Sequence, residues 1–178
     1  SFSQVGIQAG TVNVAMGALS LGNKATLTAQ TGDVDDFGIL ELAAGSTATF
    51  SKGLLVESTG TLAVTGSAAL TTTLTLEADS ILHFTLGSAN KTTQLLTLTG
   101  NLNVQGACEL AVDGTLENGR SYILMNVSGS VTNWTDITTN CGDITLSGKQ
   151  LKLTYKQPEV LTWTGGSGTW ASSLWDGK

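Results

Sequence analysis

A short alternating apolar strand, a turn of small or polar residues, and a second alternating strand recur along this chain. Leu19-Ser-Leu21 leads through Gly22-Asn23 to Ala25-Thr-Leu27, and Leu40-Glu-Leu42 leads through Gly45 to Ala48-Thr-Phe50. Leu54-Leu-Val56 leads through Gly60 to Leu62-Ala-Val64, and Leu74-Thr-Leu76 leads through Asp79 to Ile81-Leu-His-Phe84. Leu96-Thr-Leu98 leads through Gly100 to Leu102-Asn-Val104. Successive phrases begin 21, 14, 20 and 22 residues apart. A repeat of this kind constrains the fold more than composition does, because each unit buries its apolar residues only against the next.

The periodicity is that of strands. No window keeps apolar residues at helical spacing, whereas Val12-Asn-Val14, Leu110-Ala-Val112, Ile144-Thr-Leu146 and Leu151-Lys-Leu153 alternate strictly. Two all-β arrangements compete. A sandwich or barrel joins antiparallel strands through tight hairpins, whose usual mark is Asn-Gly or Asp-Gly. Asp113-Gly114 and Asn118-Gly119 are present, but both lie beyond residue 105. Parallel stacking of like phrases instead sets Leu on Leu and Thr on Thr. The expectation is therefore an all-β chain with a parallel β-helix (β-solenoid) over about 10–105. In it Leu21, Leu42, Val56, Leu76 and Leu98 form one inward-facing column, with strands about 4.8 Å apart. Residues 1–156 form the solenoid, with further coils or a cap from about 107, since an open end exposes core and unpaired strand edges. Pro158 breaks the pattern, and 157–178 is a Trp- and Gly-rich linker or the start of another unit.

Composition narrows the partners. Charged residues make up 12% of the chain, about half the usual share, and net charge is -6. The polar surface must therefore be largely Ser, Thr and Asn. Eight Lys and Arg, spread along the chain, form no basic stripe, so nucleic acid is not an expected partner. No apolar run reaches the ~20 residues needed to cross a bilayer as a helix. No leader pattern opens the chain, which reads as a mature segment of something longer.

Few residues suggest chemistry. Asp33, Asp35 and Asp36 lie between Gly32 and Gly38, with Glu41 beyond. Carboxylates at this density suit Ca²⁺, which takes oxygen ligands, although they do not match a helix–loop–helix calcium loop. The plainer alternative is a solvated loop. No other cofactor is expected. His83 is the one histidine, opposite in phase to Leu82 and Phe84, and has no second His or paired Cys with which to bind a metal. Nothing supplies a catalytic set, so an enzyme is not expected. Cys108 and Cys141 are either two buried thiols or one disulfide joining neighbouring rungs. Trp163, Trp170 and Trp175, set among Gly, Ser and Thr, either stack on sugars or pack on the end of the solenoid. Asn90, Asn126 and Asn133 head Asn-x-Ser/Thr triplets, which matter only as glycan acceptors in a eukaryotic secreted protein.

The stretches Leu74–Gly87 and Leu96–Val104 resemble the β-strand repeats of bacterial autotransporter-type passenger proteins, the autotransporter-associated β-strand repeats. Leu110–Met125, continuing to Trp134, is similar to the region that follows such strands. The Trp163, Trp170 and Trp175 segment is similar to a tryptophan motif that opens units in these proteins. The resemblance implies a right-handed β-helix in a secreted or surface-displayed bacterial protein. It also implies a structural or adhesive role. The expected function is an extracellular or cell-surface stalk, fibre or adhesive scaffold, with self-association in a head-to-tail array. A carbohydrate-binding adhesin module is the second expectation, and a β-helix polysaccharide lyase or hydrolase the third.

Overall fold

The computed structural model describes residues 6–157. Its strands, in chain order, are β1 (Gly6–Leu21), β2 (Thr26–Leu42), β3 (Thr47–Val56), β4 (Thr61–Val64) and β5 (Ala68–Thr71). They continue with β6 (Leu74–Leu76), β7 (Ile81–Leu86), β8 (Leu96–Thr99), β9 (Leu102–Val104) and β10 (Cys108–Gly114). The last are β11 (Ser121–Val127), β12 (Val131–Thr132), β13 (Ile137–Thr138), β14 (Gly142–Ser147) and β15 (Gln150–Tyr155). Two single 3-10 turns, Ser88–Lys91 and Trp134–Asp136, interrupt the strands. The chain is thus all-β. Its strands join in one large, nearly closed mixed sheet.

Strand pairing resolves this sheet into three ladders. β1 and β2 run side by side and in parallel for their whole length. β2 then divides its pairing, with Thr26–Ala29 and Thr31–Val34 on β3 and Ile39–Leu42 on β4. From there the first ladder continues through β3, β5, β8 and β11, and the second through β3, β6, β9 and β12. The third continues through β4, β7, β10 and β13. Every one of these pairs is parallel.

Each ladder has its own inward-facing column. Leu27, Ala48, Leu70, Leu98 and Val127 are in register on the first. Val14, Val34, Val56, Leu76 and Val104 align on the second. Leu21, Leu42, Val64, Phe84 and Val112 align on the third. The single column expected from sequence is therefore corrected. Leu21 and Leu42 belong to one ladder, Val56 and Leu76 to another, and Leu98 to the remaining one. All five are fully buried, so their inward phase was right. The error lies in register: the three ladders carry the same alternating pattern, so phrases from different ladders look like one repeat. Along the second column the offsets are 20, 22, 20 and 28 residues.

Four of the turns between ladders share one geometry. In Gly22–Ala25, Ala43–Ser46, Glu57–Gly60 and Glu77–Ser80 the fourth N–H donates to the first carbonyl. The third residue is left-handed in each: Lys24, Gly45, Thr59 and Asp79. Only Gly takes that conformation without steric cost, so Thr59, being β-branched, is the most strained of the four. The fourth residue faces the interior and must be small. Ser46 and Ser80 are buried there because their hydroxyls donate to the carbonyls of Ala43 and Glu77 at 2.7 and 2.6 Å. A Cβ on Gly60 would stand 2.1 Å from the carbonyl oxygen of Val34.

β10, β12 and β13 extend the parallel ladders, and then β14 and β15 form an antiparallel hairpin whose second strand pairs with β11. The hairpin turn is Gly148-Lys149, with Gly148 at φ +62°. It is not Asp113-Gly114 or Asn118-Gly119, the pairs that sequence pattern favours. A two-residue hairpin loop needs positive φ at its first position, and Gly148 supplies it without a preceding Asn or Asp.

Candidate functional site

The outward face of the second ladder carries an open groove of about 540 Å³. Its origin is a missing side chain. Thr11, Thr31 and Gly53 are in register on β1, β2 and β3, so the row of threonines is interrupted where Gly53 has nothing to present. The next residue, Leu54, donates its N–H to the carbonyl of Thr73, just before β6, at 3.0 Å. Leu55 supplies the apolar lining of the notch, beside buried Leu54, and Thr31 and Thr73 flank it. The hydroxyl of Thr31 donates to that of Thr11 at 3.0 Å. Asp33, Lys52, Thr75, Glu77 and Gln105 complete the rim.

One side of this groove is acidic. Asp33 and Asp35 alternate with buried Val34, so both carboxylates face outward from β2. Glu57 and Glu77 follow Val56 and Leu76, the next residues down the same ladder, and crowd the same face. Like charges on neighbouring strands repel. Burial, then the charges of Asp35 and Glu77, hold the Asp33 carboxyl above its ordinary range. The charge of Asp33, followed by desolvation, does the same to Glu57. Oδ1 of Asp33 and Oδ1 of Asp35 are buried and meet no donor among the described residues. Asn13 reaches only the other oxygen of Asp35, at 3.4 Å.

The expected calcium ligands are not brought together as a trio. Asp36 leaves the face of Asp33 and Asp35 because it and Phe37 are both left-handed in an exposed bend, at φ 43° and 63°. Among the described residues, no three His, Cys, Asp or Glu side chains stand close enough to hold a metal ion. The contribution of Glu57 and Glu77 was not legible in sequence, since they lie 22 and 42 positions beyond Asp35 and only register joins them.

The remaining candidates are dispersed. His83 faces outward from β7, as its phase predicts, and its Nε2 lies 2.8 Å from Oδ2 of Asp113 on β10. Lys91 pairs with Glu117, which Arg120 also meets at 3.3 Å; Lys91 first, and Arg120 after it, draws the Glu117 carboxyl below its ordinary range. Cys108 and Cys141 are free thiols, both buried, so the disulfide considered from sequence is not formed. Cys108 opens β10 opposite Ile137, and burial raises its thiol pKa. The Cys141 thiol is 3.1 Å from the Thr139 hydroxyl. Asn90 is buried, with its side-chain oxygen accepting from the Gly87 N–H at 2.9 Å and its amide donating to the Thr93 carbonyl at 3.1 Å. It closes a turn and offers no acceptor to a glycan. Trp163, Trp170 and Trp175 lie outside the described residues. No described helix is long and apolar enough to cross a membrane. Comparison with protein-family models, with curated proteins and with solved structures finds no match for this chain.

Proposed function

We propose that the three ladders wind as a right-handed parallel β-helix serving as a structural segment of an extracellular or bacterial cell-surface protein, in the manner of autotransporter-type passengers. One observation carries this reading: successive strands pair in parallel on three faces, and the outward positions of the first ladder are mostly Thr. Such a stack is built from neighbour contacts alone, so it lengthens by adding coils and holds its ends apart. That is the property of a stalk or scaffold. Immunogold labelling of intact source cells with an antibody to this segment tests the reading. Label on intact cells is expected, and label only after permeabilisation overturns it.

The groove at Gly53 favours a second reading, a carbohydrate-binding adhesin module. Its rim offers hydroxyls, carboxylates, an ammonium and an amide around an apolar lining at Leu55, a donor and acceptor set suited to sugar hydroxyls. An oligosaccharide array separates the two, because a plain scaffold retains none of the printed sugars.

A further inference from the structure

We propose that the outward face of the first ladder binds ice, through threonine side chains set out as a lattice by the parallel register of four strands. This property goes beyond the scaffold reading and does not depend on it.

Register builds the array. Thr26, Thr47, Ala69 and Thr97 form one row across β2, β3, β5 and β8, and Thr28, Thr49, Thr71 and Thr99 form a second row beside it. Leu27, Ala48, Leu70 and Leu98 lie between the rows and are buried, so all eight flanking positions point outward. Seven of the eight are threonine. The other ladders follow no such rule. Their corresponding outward rows read Asp33, Leu55, Thr75 and Asn103 on the second, and Glu41, Ala63, His83 and Ala111 on the third. Strand propensity would favour threonine equally on all three ladders, so it does not account for the first.

The array's hydroxyls are left for something outside the chain. Among the described residues, those of Thr26, Thr28, Thr47, Thr49, Thr71 and Thr99 meet no hydrogen-bond partner, and all six side chains are exposed or half-buried. Outward threonines elsewhere bond within the protein: Thr31 donates to Thr11 at 3.0 Å and Thr65 to Glu41 at 3.3 Å. Within the array only Thr97 is engaged, accepting from the Gln94 amide at 3.3 Å.

Charge and spacing select the occupant. None of the eight positions ionises, so the complementary surface is uncharged, and none is aromatic, so the array offers no ring to stack on a sugar. Parallel strands lie about 4.8 Å apart, and side chains on one face recur about every 6.6 Å along a strand. In-register pairing sets these two directions nearly at right angles, which makes a rectangular lattice of like groups. Ice is an uncharged solid whose prism faces repeat at closely similar spacings in two perpendicular directions. A threonine hydroxyl both donates and accepts, as a lattice water does. Branching at Cβ restricts χ1, so the lattice is largely set before contact and little rotamer freedom is lost on binding. Ladders of like side chains also favour a flat sheet.

Nanolitre osmometry of the full 178-residue chain tests this. Wild type is expected to hold a seed crystal without growth over a gap between its melting and freezing temperatures, and to be taken up into slowly growing ice. Thr49→Lys combined with Thr71→Lys, at the centre of the second row, should abolish both effects, because two long charged side chains hold the face off the crystal. Thr85→Lys, exposed on β7 of the third ladder, should leave both unchanged. Thr49→Val combined with Thr71→Val keeps the shape and removes two hydroxyls, and should narrow the gap. Circular dichroism checks that each variant keeps its strands. A wild type without a gap overturns the proposal, and so does a gap kept in the folded double lysine variant or lost in folded Thr85→Lys. Retention on microcrystalline cellulose with no effect on ice also overturns it and gives the face to a polysaccharide surface. None of these results bears on surface labelling or on sugars at the Gly53 groove, so those readings stand or fall separately.

Discussion

Gly32→Ala tests how tightly neighbouring strands pack. Gly32 is buried in the second ladder between Val12 and Leu54, so larger residues stand on both neighbouring strands. A Cβ there would stand 2.4 Å from Cε1 and 2.7 Å from Cδ1 of Phe50, and 2.7 Å from Cδ1 of Leu54. Phe50 is fully buried, held in register opposite Ala29, so its ring occupies the space that Gly32 vacates. Overpacking of this kind costs about 1–3 kcal/mol. The lost flexibility of the unfolded chain returns about 0.4–1 kcal/mol, because the Gly32 backbone is not left-handed. A net loss of about 1–2 kcal/mol is expected, or roughly 2–8 °C in Tm for a chain of this size. Phe50→Leu alone should also destabilise, by about 1–2 kcal/mol, as ring atoms leave a full core. The double variant is the decisive measurement. With a leucine at 50 the new methyl has room, so the two losses should not add, and a coupling of about 1 kcal/mol is expected. Urea unfolding followed by circular dichroism gives all the free energies. Additivity within about 0.5 kcal/mol would refute the claim that Gly32 exists to seat the Phe50 ring.

Acidity should stabilise the fold through the face of Asp33 and Glu57. Both carboxyls are raised in the folded state, so the native protein holds protons that the unfolded chain releases, and stability falls as pH rises from the ordinary carboxylate range through the folded pKa values. Asp33→Asn should raise the urea midpoint at neutral pH and flatten this dependence between mildly acid and neutral solution; an unchanged pH profile contradicts it. Leu76→Asp should cost more than about 4 kcal/mol or abolish folding, since Leu76 is fully buried between Val56 and Val104 and the new carboxylate finds no partner. An unchanged melting temperature would count against the buried column. Native Cys108 should react with a thiol reagent far more slowly than the urea-unfolded chain, because burial both shields the thiol and disfavours its thiolate; equal rates would show that β10 opens readily.

Residue pattern alone determined the strand content and the inward phase. Alternation at Leu40-Glu-Leu42 or Leu74-Thr-Leu76 admits one reading, because side chains on a strand alternate between faces and the core excludes the polar ones. His83 was placed outward by the same argument. Register belonged to the tertiary structure. Leu21, Val56 and Leu98 look equivalent in sequence, yet each stands on a different ladder, because the three ladders bury the same kind of residue and hydrogen bonding alone distinguishes them. The acidic face followed the same rule. Asp33 and Asp35 are neighbours in sequence, whereas Glu57 and Glu77 reach them only through parallel pairing, and Asp36 departs because its backbone turns left-handed. The closing hairpin was likewise decided by structure: β15 alternates as any outer strand does, and only its pairing with β11 shows that the chain has reversed. A side chain's phase is local, set two residues at a time, while its neighbour across the sheet is set by the length of every turn between them.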